Sequence, residues 1–187
     1  MLVFGDAHIP SRRDAIPEGF YTHVENTSYA LGLVTGDLVR ETEMRAAMPQ
    51  LPKCYIVQGN MDYGRGYNFH EQVTVEEFSI LLLHGTQLRP RGSIRQLWEI
   101  ATEVGADVGI HGHTHNATID LHKGRLFLNP GTVSGSTGGW AGVSDASFME
   151  LEVTGSDITV ILHYTDWQVT KRSEVRFRKE EGQVIRN

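Results

Sequence analysis

A single cysteine, Cys54, stands in 187 residues, so the chain cannot close a disulfide on itself, and a reducing, cytoplasmic setting is the expectation. Long apolar runs are missing as well. No segment approaches the roughly 18 residues that a membrane span needs, and the stretch before Asp6 is too short for a signal peptide. Positive charge is scarce: the net charge is −6, which argues against a general nucleic-acid binder held by phosphate contacts. No fixed-period repeat, low-complexity tract or linker divides the sequence. One domain over 1–187 is therefore expected, with 40% hydrophobic residues to build its core.

What the chain has instead is a recurring pattern. Leu2-Val3-Phe4-Gly5 leads into Asp6 and His8, Leu31 to Gly36 into Asp37, and Tyr55 to Gly59 into Asn60. Ile80 to Leu83 leads into His84-Gly85, and Asp107 to Ile110 into His111-Gly112-His113-Thr114-His115. Short runs rich in Val, Ile and Leu are the signature of strands buried on both faces of a parallel sheet. Each ends at a side chain able to bind metal, beside a glycine. Ligands of open α/β sheets bind beyond the carboxyl ends of the strands, so five such ends predict one site. Asp, Asn and His are ligand types suited to Mn, Fe or Zn. If the segment stays extended, His113 and His115 project to the same side.

Elsewhere the spacing predicts a short helix from Pro17 to about Glu25, a second over 39–48, and a third over 94–104. The third shows Ile94, Leu97, Trp98, Ala101 and Val104 on one face, a Ser93–Gln96 capping box and a Gly105 stop. After His115 alternation takes over, with a hairpin of 117–122 and 125–128 turning at Lys123-Gly124. Strands follow around Met149–Val153, Ile158–Leu162 and Trp167–Arg178. The second half therefore reads as an antiparallel sheet packed on the first, with helices outside. Arg12 and Arg13, near the first ligand pair, read as a phosphate contact or as a solvated loop. His111 reads as a support for the motif or as a hydrogen-bonded core residue. His23, His70, His122 and His163 read as surface or structural. The glycine-rich stretch 131–139 lacks a P-loop ending and reads as a mobile rim.

Gly5-Asp6-Ala7-His8, Gly36-Asp37, Gly59-Asn60, His84-Gly85 and Gly112-His113-Thr114-His115 resemble, in order, the signature blocks of the calcineurin-like metallophosphoesterases. Asn129-Pro130-Gly131 resembles a further block of the small members, which include compact bacterial and archaeal phosphodiesterases and the phosphoesterase-fold subunit of retromer. The resemblance implies an α/β fold, a four-layer α/β/β/α sandwich of two mixed sheets, with two divalent metal ions, Mn first and Zn, Fe or Ni as alternatives.

Carried over, one metal takes Asp6, His8, Asp37 and His115, and the other Asn60, His84 and His113, with Asp37 bridging. Asp37, Asn60 and His113 then serve catalysis, and Arg12 is the candidate substrate contact. Two cations roughly 3.5–4 Å apart share a hydroxide and support in-line displacement at phosphorus. The implied function is a phosphoesterase, foremost a phosphodiesterase, acting on a small phosphoester. The alternative is a scaffold like the retromer subunit, with a vestigial metal site and an apolar surface for a protein partner or a homo-oligomer. That subunit departs from the ligand pattern at the positions of Asp37 and Asn60, which are intact here. Two positions depart from many relatives: Met61 stands where a histidine can act as general acid, and Thr86 where histidine is often repeated.

Overall fold

A computed structural model describes residues 1–38, 40–42, 51–62, 64, 66–139, 142–165 and 170–187. Three short strands, β1 (Leu2–Phe4), β2 (Gly32–Val34) and β3 (Cys54–Ile56), run parallel. A hairpin, β4 (His70–Val75) and β5 (Phe78–Leu83), precedes β6 (Val108–Ile110). Next come β7 (Ala117–His122), β8 (Arg125–Pro130), β9 (Ala146–Thr154), β10 (Asp157–Thr165), β11 (Thr170–Glu180) and β12 (Gln183–Arg186). One sheet has the order β12-β11-β10-β9-β1-β2-β3 and the other β4-β5-β6-β8-β7. Both are mixed: β9 is antiparallel to β1, and β8 is parallel to β6 but antiparallel to β7.

The apolar runs carry no alternation because both faces of each strand are covered. In β1, Val3 points between the sheets, where it joins Leu33, Ile80, Leu82, Ile110 and Met149. Leu2 and Phe4 point the other way, onto Phe20 and Val24 of helix α1 (Glu18–Glu25), as the period of two requires. In β5, Ile80 and Leu82 face inward, while Leu81 and Leu83 meet Leu97 and Ala101 of helix α2 (Ile94–Glu103). The result is the four-layer α/β/β/α sandwich.

Several details differ from expectation. The antiparallel second half is not a separate sheet: β7 and β8 complete the sheet of β5 and β6, and β9 to β12 extend the sheet of β1 to β3. The capping box of α2 is half formed. Ser93 Oγ accepts from the Gln96 N–H at 3.5 Å, but Gln96 Oε1 turns to the Arg89 N–H at 2.7 Å, and the Ser93 N–H goes to Pro90. Of the stretch 131–139, expected at the rim, residues 131–136 are buried and only 137–139 reach the surface. Most of the helix expected over 39–48, and residues 167–169 of the last expected strand, lie outside the described residues.

Candidate metal centre

The seven sequence-predicted ligand side chains all stand at the carboxyl ends of β1, β2, β3, β5 and β6. Because these strands belong to two facing sheets, the ends approach each other from opposite sides of the core. Backbone hydrogen bonds lock the loops together: Asp6 N–H to Gly36 O at 2.9 Å, His8 N–H to Asp37 O at 2.9 Å, and Gly112 N–H to His84 O at 3.1 Å. The approach is so close that two glycines have no room for a side chain. A Cβ on Gly59 would fall 2.1 Å from Asp37 Oδ1, and one on Gly112 would fall 2.6 Å from Asp6 Oδ2.

Asp6, His8, Asp37, His113 and His115 all have left-handed backbones, with φ between 50° and 68°. Such conformations are costly for non-glycine residues and gather at functional sites. The His113–His115 segment is thus not extended, and the two rings diverge. The ring of His113 faces His84 at 5.0 Å between centroids, while that of His115 stacks on His8 at 4.9 Å.

Around Asp6, His8 Nε2 lies 3.2 Å from His115 Nε2, and Asp6 Oδ1 lies 3.3 Å from His115 Nε2 and 3.7 Å from His8 Nε2. Around Asp37, its Oδ2 lies 3.4 Å from His8 Nε2 and 3.5 Å from His84 Nε2, and Asn60 Oδ1 lies 3.2 Å from the latter. Asp6, His8, Asp37, His84 and His115 are all buried. Asp6 Oδ1 makes no hydrogen bond although fully shielded from solvent. A buried carboxylate oxygen without a donor, facing imidazole nitrogens at 3.3 and 3.7 Å, is a donor set suited to a cation. The residues present fit the metals.

Their orientation is fixed from behind. His84 Nδ1–H donates to Thr35 O at 2.7 Å and His115 Nδ1–H to Ser136 O at 2.6 Å. Each bond leaves the Nε2 lone pair facing inward, as metal-binding histidines need. Asp37 Oδ1 accepts from the Met61 N–H at 2.6 Å, and Asp6 Oδ2 from the His113 N–H at 3.0 Å. Asp62 does more than close a turn: its Oδ2 accepts from the N–H groups of Asp37 at 2.7 Å and Gly59 at 3.0 Å. Thr132 and Ser136 donate their hydroxyls to Asp6 O. Asn129 donates to Gly112 O and Thr114 Oγ1, pinning the turn of the histidine motif. Thr35, Thr132 and Ser136 escape a reading of the sequence, whereas Asn129 is signalled by its Pro-Gly sequel.

Electrostatics follow from burial and proximity. Burial opposes ionisation of Asp6, yet its contacts with His115 and His8 outweigh this and hold the carboxyl well below the usual range. Burial raises Asp37 despite His84 nearby. Burial, followed by the neighbouring His84 and Arg91, pushes His113 down to about 4, so its imidazole is neutral near pH 7. His115 is raised, because Asp6 overcomes the effect of burial.

Arg12 is exposed at the rim, where its guanidinium donates to Thr137 O at 3.1 Å. His111 is buried beside the motif, with Nδ1 3.1 Å from the Asn129 amide nitrogen and Nε2 without a hydrogen bond. His23 and His163 lie on the far side of the β1 sheet, bound to Glu150.

A family model described as a calcineurin-like phosphoesterase superfamily domain matches residues 1–156. A probable metallophosphoesterase of Methanothermobacter thermautotrophicus is 35% identical over 161 residues, spanning 83% of this chain and 87% of that protein. The structure of wild-type Vps29 of Entamoeba histolytica complexed with zinc matches with a TM-score of 0.86 and 31% identity, over 94% of this chain and 97% of that one. A predicted phosphoesterase of Streptococcus pneumoniae, at 21% identity and a TM-score of 0.66 over 92% and 95% of the two chains, shares the fold. With its strand-end ligands and a family match across five-sixths of its length, the chain belongs to the calcineurin-like phosphoesterase superfamily.

Proposed function

We propose that the chain is a dinuclear metal-dependent phosphodiesterase, cleaving small phosphodiesters by in-line displacement at phosphorus. One observation carries this reading: Asp37 Oδ2 stands between His8 Nε2 and His84 Nε2, at 3.4 and 3.5 Å. A single carboxylate oxygen so placed serves two cation sites. Asp6, His8 and His115 would hold one ion, and Asn60, His84 and His113 the other, with Asp37 shared. When bound, two such ions, foremost Mn, supply charge for the phosphoryl oxygens and an activated water. The chain's own part is to keep the four imidazoles and two carboxylates in register and to present Arg12 at the rim to the incoming anion. Asp37, Asn60 and His113 bound the reacting centre. Met61 cannot transfer a proton, so substrates whose leaving groups depart as stable anions are preferred. A single domain spans 1–187, and the lone Cys54 accords with a cytoplasmic setting.

The test is metal analysis paired with hydrolysis of an aryl phosphodiester under saturating Mn. Two ions per wild-type chain are expected. Asp37→Asn should lose both metal occupancy and at least about a hundredfold in rate, the scale of a lost charge-stabilising group. A variant that keeps two ions and full rate removes Asp37 from the shared position.

A likeness in fold to Vps29 of Chaetomium thermophilum solved with a cyclic peptide bound favours one other reading, a protein-binding scaffold with a vestigial site. A metal-poor, inactive wild-type chain would select it.

A further inference from the structure

A cavity of about 550 Å³ is lined by Asn60 and His84 of the second cation site together with Gln58, Gln87 and Phe69. We infer that it is a subsite for a planar heteroaromatic group, of the nucleobase kind, carried by the phosphoester; this deepens, and rests on, the phosphodiesterase reading.

Phe69 is the first observation. It is 76% exposed, the most exposed of the large apolar side chains among the described residues. Water is an unfavourable environment for a phenyl ring, and the chain buries Phe4, Phe20, Phe78, Phe127 and Phe148 almost completely. Nor does the ring hang on a free tip. The Gln58 N–H donates to Asn68 O at 2.8 Å, and Val57 bridges to Asn68 in parallel fashion. These bonds fix the backbone before Phe69 to the end of β3, two residues ahead of Asn60.

The amides are the second observation. Gln58 and Gln87 have no side-chain hydrogen-bond partner among the described residues. Each amide offers a donor pair and an acceptor on one plane, the arrangement that reads the edge of a base. An aromatic face for stacking, with amides for the edge, matches a flat ring bearing polar edges. An alkyl tail would leave the amides unpaired, and a sugar would leave the phenyl face without a stacking partner. The volume suits a group of this size. Phosphate held at Asn60 and His84 would stand within the same cavity, so base and phosphate are engaged together.

The experiment is equilibrium calorimetry on the Mn-loaded full chain with adenosine 5′-monophosphate, ribose 5-phosphate, inorganic phosphate and adenosine as probes. The nucleotide should bind about tenfold or more tightly than ribose 5-phosphate, the scale of one base stacked on an aromatic ring. Phe69→Ala should collapse that ratio toward one, and Phe69→Trp should keep it. Metal content, measured on each variant, shows whether the site is intact. Equal binding of nucleotide and ribose 5-phosphate, or a preference untouched in Phe69→Ala, overturns the subsite while phosphate binding leaves the phosphodiesterase reading standing. If neither metal nor phosphate binds, that reading fails. Adenosine then decides the cavity alone: binding lost in Phe69→Ala supports it, and no binding overturns it.

Discussion

Asp62 shows how a residue that touches no substrate can set the geometry of those that do. One of its carboxylate oxygens collects the N–H groups of Asp37 and Gly59, and is itself buried. It thereby fixes the backbone from which Asp37 reaches toward both His8 and His84. Removing it orphans two buried donors, each costing about 1–3 kcal/mol. Asp62→Ala should therefore lower the Tm and weaken metal binding by roughly 10–100-fold, the usual effect of losing a group that orients a ligand. Asp62→Asn keeps an acceptor oxygen and should recover most of both. Metal titration with thermal melts of the two variants checks this. If Asp62→Ala binds metal as tightly as wild type, the carboxylate acts only as local turn structure.

At the scale of elements, the site is a meeting of loops too tight for ordinary side chains. The loop after β6 passes over Asp6 with Gly112 as its point of contact, 2.6 Å from Asp6 Oδ2 and 2.7 Å from Thr35 Oγ1 for an added Cβ. Gly112→Ala must push the loop away from Asp6, and with it both His113 and His115. Loss of metal at both sites is expected, with the two sheets still folded. Metal content beside far-ultraviolet circular dichroism measures it, and full metal occupancy in a folded Gly112→Ala protein would show that the loop has slack. The strand ends were legible in sequence because Asp, Asn and His follow short apolar runs within a few residues, beside a glycine. Thr35 was not, because it serves through its backbone carbonyl, which leaves no mark in residue type. Nor was Ser136, which serves through both carbonyl and hydroxyl but lies far along the chain from the strands it supports. Likewise β9 pairs with β1 across more than 140 residues, a choice that alternation within β9 does not encode. The diverging rings of His113 and His115 required left-handed backbones that a period-of-two reading of the segment does not anticipate.

Across the whole molecule, the candidate metal centre is held at one edge of the sandwich, while a second polar cluster holds α1 to the outer face of the β1 sheet. Glu150 of β9 faces His23 of α1 through Oε1 at 2.8 Å, His163 of β10 through Oε2 at 2.8 Å, and the Tyr29 hydroxyl at 2.5 Å. His163 also stacks on Phe148 at 4.5 Å, and Phe148 packs against Phe20 of α1. Burial works against ionisation of Glu150, but hydrogen bonds from His163, Tyr29 and His23 outweigh it and draw the carboxyl from its ordinary 4.5 to about 2. A carboxyl whose folded pKa is depressed contributes stability that is fully present above its unfolded value and fades as pH falls through its folded one. The window here is about pH 4.5 down to about pH 2. Glu150→Gln, which cannot ionise, should melt a few degrees below wild type at pH 6, with the gap closing toward pH 2.5. Acid also strips the metal site, but that loss is common to both proteins and cancels in the difference. Thermal melts of the pair at half-unit pH steps measure the gap, and a gap that stays constant across the window would assign the cluster's contribution to packing and neutral hydrogen bonds instead of charge.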